Sequence, residues 1–152
     1  MVKPSREVLA QRSRKVLEDS FLGKKSSEHP RAIIMAGPQG SGKSTKAKAM
    51  LKKEKNMTYI NPDSTLIALN GGRRKLPDEN PEVFDASQRL TERIVDHALA
   101  NRFNVCLDTS IPSDGLLTRM KNKGYDVTFV VMTTPAELAR KREVNRDLTQ
   151  LK

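Results

Sequence analysis

The feature that most constrains the fold is the segment AGPQGSGKST at residues 36–45, which places three glycines in ten positions after the apolar run 32–35. Glycine destabilises a regular element unless the backbone must turn sharply or be approached closely. Gly37, Gly42, Lys43 and Ser44 have the spacing of a phosphate-binding loop, in which four residues separate the first glycine from Gly-Lys-Ser or Gly-Lys-Thr. The segment therefore predicts a strand, a phosphate-binding loop and a helix in succession.

Each residue type in this loop has a function in holding a triphosphate. Backbone N–H groups must point toward the phosphates, and glycine leaves them uncovered. The following helix directs its positive N-terminal end at the same anion. We expect Lys43 to place its charge between the β- and γ-phosphates of ATP, and the Ser44 hydroxyl to bind Mg²⁺. The predicted nucleotide-binding residues are Gly37, Pro38, Gln39, Gly40, Ser41, Gly42, Lys43, Ser44 and Thr45.

Apolar runs alternate with helical patterns along the rest of the chain. The predicted strands are residues 31–36, 57–60, 103–107 and 127–132, and the predicted helices are 4–22, 43–53, 64–69, 81–101, 112–123 and a last helix from 135. Strands separated by helices predict an α/β fold of the P-loop NTPase type, with a parallel sheet of four to five strands flanked by helices. We expect one domain over 1–152, with an extra N-terminal helix and loop at 1–30. The nucleotide-binding core would cover 31–152, with a lid that is incomplete at the C-terminal end.

Charge narrows the range of partners. Residues 1–55 contain 14 Lys and Arg against 5 Asp and Glu, whereas residues 56–152 contain 14 against 13. The basic first third favours phosphate, nucleic acid or an acidic protein as partner, although solvated helix surfaces explain the same pattern. Aromatic residues are 4% of the chain and Trp is absent, so stacking surfaces for single-stranded nucleic acid are scarce.

Membrane and secreted classes find no support in the sequence. No apolar run approaches the ~20 residues of a membrane-spanning helix, and the polar N-terminus lacks the apolar core of a signal peptide. Cys106 has no second cysteine for an internal disulfide, and with two histidines it gives no metal-ligand spacing. We therefore expect a cytoplasmic protein with no membrane partner.

Two aspartates follow predicted strands, at the sheet edge where open α/β folds bind ligands. Asp108 closes the strand 103–107 and is the candidate for a second Mg²⁺ contact, with a cap for the helix near Ser113 as the alternative. Asp63 follows the strand 57–60 in YINPDS. Its carboxylate is placed either to accept a proton from an attacking hydroxyl or to cap the next helix.

Other charged residues are weaker candidates for the site, because their sequence pattern is less specific. Arginine stabilises charge on a phosphoryl group during transfer, and the last predicted helix carries Arg140, Lys141, Arg142 and Arg146. A loop cluster at 73–75 is a candidate for binding a substrate phosphate. Taken singly, these cations and Glu92 of the long helix are more simply explained as solvated surface charge.

The order of these motifs resembles that of the zeta-toxin family of P-loop kinases, including the Pez-type toxins. The stretches that carry the resemblance are AIIMAGPQGSGKST, YINPDS, SQRLTE, NVCLDTS and MKNKGYDVTFVVMTTP. They fall within residues 5–150, and their order and spacing carry more weight than any single stretch. The family uses ATP and Mg²⁺ to phosphorylate the 3′-hydroxyl of the sugar in UDP-N-acetylglucosamine, which blocks cell-wall synthesis. The resemblance thus implies a kinase whose small-molecule acceptor is a nucleotide sugar.

The resemblance also assigns residues to the transfer step. It implies that Lys43 and Ser44 are the phosphate-loop residues of the family and that Asp63 is its catalytic base. Arg146 follows VVMTTP at the distance of the first lid arginine, which neutralises the γ-phosphate. A co-encoded antitoxin that blocks the nucleotide cleft is the protein partner that the resemblance implies.

On the acceptor side, Glu92 in LTE matches a substrate-binding acid. Asp108 and Thr109 match a Glu of the family and the substrate-side residue next to it, with Asp in place of the usual Glu. Two other functions remain open at this point. One is a polynucleotide or nucleoside 5′-hydroxyl kinase, which has the same loop and an Asp after the second strand. The other is a nucleotide-binding module with little transfer activity.

Overall fold

The computed structural model describes residues 4–38, 41–72, 80–109 and 113–133. These ranges contain four strands and five α-helices, all close to the sequence-based expectations. In chain order they are α1 (Arg6–Ser20), β1 (Arg31–Ala36), α2 (Lys43–Lys53), β2 (Thr58–Ile60), α3 (Pro62–Leu69), α4 (Pro81–Ala100), β3 (Val105–Asp108), α5 (Asp114–Asn122) and β4 (Asp126–Val131). The helix predicted from residue 135 lies outside the described residues.

The four strands form one parallel sheet in the order β2-β3-β1-β4. β1 therefore lies between two strands that come much later in the chain, and every connection must cross over a face of the sheet. The register pairs Met35 of β1 with Asp108 of β3. The carboxyl ends of β1 and β3, and hence the loops that follow them, lie side by side. The predicted α/β fold with a parallel sheet and an extra N-terminal helix is confirmed.

The two faces of the sheet bury different cores, because alternate residues of a strand point to opposite sides. Ile34 of β1 belongs to the larger cluster, to which α1, α3, α4 and α5 contribute buried residues. Met35, its neighbour in the strand, belongs to a smaller cluster with Ala47 of α2, Met57 and Cys106. The lone cysteine is thus a buried core residue, and α2 packs on the face of the sheet that carries this smaller cluster.

The long helix α4 is held at both ends by asparagine. The Asn80 side chain accepts a hydrogen bond from the Val83 N–H at the start, and Asn101 caps the end. Its buried residues recur at helical spacing and are Val83, Ser87, Leu90, Ile94, Ala98 and Leu99. The opposite face of the helix is exposed and charged. In the part of the chain that the structure describes, neither α4 nor any other helix has the length and apolarity needed to cross a bilayer.

Several element boundaries differ from the sequence prediction by one or two residues, and two of these differences have identifiable reasons. The third helix begins at Pro62 and not at residue 64, because Asn61 takes the N-cap position and Pro is favoured in the first turn. The third strand begins at Val105, since Phe103 forms an isolated antiparallel bridge with Ser26. The N-terminal loop is thereby attached to the start of β3.

We expect Leu90→Ala to lower the free energy of unfolding by about 2–5 kcal/mol, because Leu90 is 1% exposed and its removal leaves a cavity in the larger core. Leu22→Ala is the matched control, since Leu22 is 78% exposed and surface substitutions stay within about 0.5 kcal/mol. Urea denaturation of both variants is the measurement. Equal losses in the two variants would contradict this description of the core.

Candidate functional site

Two of the described residues in the glycine loop between β1 and α2 have positive φ. Gly37 has φ of 149° and Gly42 has φ of 85°, and Gly42 occupies the N-cap position of α2. A Cβ on Gly37 would lie 2.6 Å from the Met132 carbonyl oxygen. Met132 in turn donates its N–H to the Ala36 carbonyl at 2.8 Å. The end of β4 therefore closes against the loop, and only glycine fits there.

Lys43 is the first residue of α2 and turns back over the loop that precedes it. Its Nζ donates to the Gly37 carbonyl oxygen at 3.1 Å and lies 2.8 Å from Asp108 Oδ1. The Lys43 side chain is 20% exposed and the Asp108 side chain 3%. This ion pair joins the glycine loop to the end of β3. A partly exposed cation beside a glycine loop suits an anionic ligand.

Asp108 is the last residue of β3, and both oxygens of its carboxylate have partners. One oxygen, Oδ1, contacts Lys43, and the other, Oδ2, accepts the Tyr59 hydroxyl at 2.6 Å and the Asn61 amide at 3.4 Å. The alternative assignment of Asp108 as the cap of the following helix is wrong. Ser113 caps α5 by accepting the Leu116 N–H, because a hydroxyl directly before the first turn reaches it more easily.

Tyr59 and Asn61 are site residues that the sequence analysis did not single out. Asn61 Nδ2 donates to the Tyr59 hydroxyl at 2.9 Å, and that hydroxyl donates to Asp108. Burial, followed by the hydrogen bond to Asp108, raises the pKa of Tyr59 above its usual value, so the hydroxyl remains a donor. A tyrosine in a short apolar strand gives no sequence signal of this contact. Its partner is 49 residues away.

Asp63 lies at the second position of α3 and its side chain is exposed. Its assignment as the N-cap of that helix is wrong, because Asn61 Oδ1 accepts the Asp63 N–H at 2.8 Å and so performs the capping. The Asp63 carboxylate is thus left open to solvent in the first turn of α3. Asn61 connects it through the backbone to the Asp108 cluster.

The remaining predicted site residues fall partly inside and partly outside the described residues. Ser44 and Thr45 are exposed in the first turn of α2, and the Thr109 N–H donates to the Met35 carbonyl at 3.2 Å. Glu92 is exposed on α4. Outside the described residues lie Gln39 and Gly40 of the loop, the cluster 73–75, and the four cations Arg140, Lys141, Arg142 and Arg146. Their roles stay predictions.

The donor set at this edge fits a nucleotide with Mg²⁺. The Ser41 hydroxyl oxygen is buried beside Gly37 without a hydrogen-bond partner among the described residues, as expected for a group that awaits a ligand. Within the same ranges no cluster of three or more His, Cys, Asp or Glu could hold a metal by itself. Magnesium in nucleotide sites needs no such cluster, because one or two protein oxygens and the phosphates suffice.

A parallel sheet in this order, helices on both faces and a glycine loop ahead of α2 define a P-loop kinase-like α/β fold. The chain belongs to the zeta toxin family, whose sequence profile matches residues 14–152. It is 26% identical over 129 residues to toxin zeta of Streptococcus pyogenes, which covers 78% of this chain and 45% of that protein. It is 27% identical over 126 residues to toxin PezT of Streptococcus pneumoniae, a match that covers 77% of this chain and 50% of that protein. The chain thus spans about half the length of the curated relatives it matches.

Solved structures show the same fold. A chain from the PezAT toxin–antitoxin system of Streptococcus pneumoniae matches 98% of this chain and 67% of its own length, with a TM-score of 0.70 and 22% identity. A chain of the Pnkp1/Rnl/Hen1 RNA repair complex matches 79% of this chain and 39% of its own length, with a TM-score of 0.51 and 28% identity. A chain of AvrRxo1-ORF1:-ORF2 with ATP matches 86% of this chain and 45% of its own length, with a TM-score of 0.53 and 19% identity.

We expect Gly37→Ala to destabilise the protein more than Gly23→Ala. Both glycines have positive φ, but a Cβ added to Gly23 would meet nothing within 4 Å, whereas one added to Gly37 would meet the Met132 carbonyl. Gly23→Ala should cost about 1–2 kcal/mol for the backbone conformation alone, and Gly37→Ala about 1–3 kcal/mol more for the close contact. Thermal unfolding compares the two. A smaller loss at Gly37 would mean that β4 does not close the loop.

Proposed function

We propose that this chain is an ATP-dependent phosphotransferase that moves the γ-phosphoryl group of ATP to a hydroxyl of a small molecule. The observation that carries the proposal is the position of Lys43. Its ammonium group lies between the Gly37 carbonyl and the Asp108 carboxylate at the N-terminus of α2. A cation, the N–H groups of a glycine loop and a helix N-terminus all point to a phosphate ligand.

The nucleotide would bind to residues 37–45. Lys43 would exchange the Asp108 carboxylate for the β- and γ-phosphates, a short movement for a flexible side chain. The exposed Ser44 hydroxyl and Asp108 would hold Mg²⁺. When bound, the metal ion neutralises charge on the phosphates. The buried Ser41 hydroxyl, which has no hydrogen-bond partner among the described residues, would donate to a phosphate oxygen.

Asp63 is the residue we assign to proton removal from the acceptor hydroxyl. Its carboxylate is exposed in the first turn of α3, where an acceptor can approach it from solvent. A general base must lie within hydrogen-bond reach of the proton it takes. Asn61 fixes that turn against the Asp108 cluster through 2.8 Å and 3.4 Å contacts. Arg146 is the residue we assign, from the family resemblance, to neutralising the transferred group.

Membership of the zeta toxin family supports a nucleotide sugar such as UDP-N-acetylglucosamine as the acceptor. Glu92 and Thr109, with Asp108, are the residues that we propose to bind it. The match to a chain of the PezAT toxin–antitoxin system supports an antitoxin as protein partner. ATP in the AvrRxo1-ORF1:-ORF2 structure supports ATP as the donor. A single buried cysteine suits the reducing cytoplasm as the site of action.

A polynucleotide 5′-hydroxyl kinase is the second candidate, because a chain of the RNA repair complex shares the fold at 28% identity. The positions of two lysines of the basic first third, Lys24 and Lys25, weigh against it. Lys24 donates to the Lys55 carbonyl, and Lys25 hydrogen-bonds Asn56, which places these lysines where β2 begins. Asp63 lies at the opposite edge, where β2 ends. Incubating the protein with labelled ATP and separate nucleotide sugars, nucleosides and oligonucleotides identifies the acceptor.

We expect Lys43→Ala to abolish measurable binding of ATP-Mg²⁺, because the substitution removes the ammonium group that lies against the glycine loop. Lys52→Ala, an exposed lysine in the last turn of the same helix, is the matched control and should bind like the wild type. Calorimetric titration is the measurement, preceded by thermal unfolding to show that both variants are folded. Wild-type affinity in Lys43→Ala would remove the phosphate-loop assignment.

We expect Asp63→Asn to keep nucleotide affinity within a few-fold and to lower single-turnover transfer by about 10²–10⁴-fold, which is the usual contribution of a general base. Asparagine keeps the shape of the side chain and loses its basicity. Asp126→Asn, at the exposed start of β4 on the opposite sheet edge, is the control for charge removal. Transfer by Asp63→Asn at the wild-type rate would eliminate Asp63 as the base.

A further inference from the structure

We propose that Tyr59 and Asn61 are positioning residues of the nucleotide site, which hold the Asp108 carboxylate in the orientation from which its Oδ1 binds nucleotide-bound Mg²⁺. The inference rests on the proposed function and deepens it, because it gives a role to two residues that contact neither ATP nor the acceptor in the proposed reaction. It follows from how the two carboxylate oxygens are divided between partners.

Strand geometry explains why these residues meet. Tyr59 of β2 is paired with Cys106 of β3, and Cys106 and Asp108 point to the same face because they are two residues apart. The Tyr59 ring therefore lies along the face that α2 covers, in the smaller core cluster. Its hydroxyl reaches diagonally to Asp108 Oδ2 at 2.6 Å. No rearrangement of the backbone is needed for this contact.

The hydrogen bonds have a fixed direction. Asn61 Nδ2 can only donate, and it donates to the Tyr59 hydroxyl oxygen at 2.9 Å. The single hydroxyl proton of Tyr59 is then available for Asp108 Oδ2. A donor chain that ends on a buried carboxylate strengthens each bond in turn, and bonds to an ionised acceptor are the stronger kind. Oδ2 is therefore held firmly while Oδ1 faces Lys43.

This division matters when Lys43 moves to the phosphates. Asp108 is 3% exposed, and a buried carboxylate without a partner is strongly unfavourable. Tyr59 and Asn61 do not depend on the lysine, so they keep the carboxylate compensated and prevent its rotation. The oxygen that Lys43 releases is the one left facing the glycine loop. Second-layer partners of this kind commonly fix the orientation of metal-binding carboxylates.

Tyr125, the second tyrosine of the chain, shows what a structural tyrosine does in this fold. Its hydroxyl lies 3.0 Å from the Ala98 carbonyl oxygen and 2.6 Å from the Phe103 carbonyl oxygen, so its single proton is directed at backbone acceptors. It ties α4 to the start of β3, away from the glycine loop. The Tyr59 hydroxyl instead donates to the carboxylate of the site. Replacement by phenylalanine therefore removes a hydroxyl from the site at Tyr59 and from a purely structural contact at Tyr125.

The test is the Mg²⁺ concentration at which a fluorescent ATP analogue binds half-maximally. We expect Tyr59→Phe to raise that midpoint about 10–100-fold, the usual effect of removing such a partner, with binding in EDTA unchanged within about two-fold. Tyr125→Phe should lower the unfolding temperature and leave the Mg²⁺ midpoint at the wild-type value. Asn61→Ser keeps a good N-cap but removes the amide donor, and should shift the midpoint less than Tyr59→Phe.

The outcomes separate this inference from the proposed function. If the wild type binds the analogue with Mg²⁺ and neither Tyr59→Phe nor Asn61→Ser moves the midpoint, the positioning role is overturned while the nucleotide site stands. If the wild type shows no Mg²⁺-dependent binding, the proposed function fails and the inference fails with it. Should Tyr59→Phe not fold, the Asn61→Ser midpoint decides alone, and a wild-type value overturns the proposal.

Discussion

The ion pair between Lys43 and Asp108 is the contact on which the rest of the candidate site depends. A carboxylate that is 3% exposed needs compensation, and the compensating lysine comes from a helix that begins directly after the glycine loop. The pair therefore connects the end of β3 to the start of α2. It also leaves the lysine 20% exposed, which is open enough for exchange with an anionic ligand.

Sheet topology determines where this pair can form. Because β1 lies between β3 and β4, the loop after β1 has Asp108 on one side and Met132 on the other. Met132 donates to Ala36 and closes against Gly37. Gly37, at the start of the loop, is thus fixed by Met132 on one side and, through Lys43, by Asp108 on the other.

The residues proposed to bind the nucleotide and those proposed to act on the acceptor differ in how deeply they are buried. On the nucleotide side, Lys43, Asp108 and Tyr59 are buried or half-buried and are joined by short contacts. Asp63 and Glu92, on the acceptor side, are exposed on α3 and α4.

Most of the secondary structure could be predicted from the sequence, because the patterns that govern it are local. The apolar run 31–36 before the glycines, the helical spacing of Leu90, Ile94 and Ala98, and Pro81 at the start of α4 each act within a few residues. The same holds for the phosphate loop, whose pattern consists of four positions within one short segment. Errors occurred where two local signals competed, as at Asn61 and Asp63, where either side chain is a good cap.

Sequence alone determined the class of fold, the position of the phosphate loop and the candidate carboxylates. Only the tertiary structure decided that Asp108 pairs with Lys43 and is held by Tyr59 and Asn61. The physical reason is that these contacts join residues about 47–65 positions apart, a separation that follows from their residue numbers. They depend on the register of parallel strands, which is set by packing of both sheet faces and leaves no periodic trace in the chain.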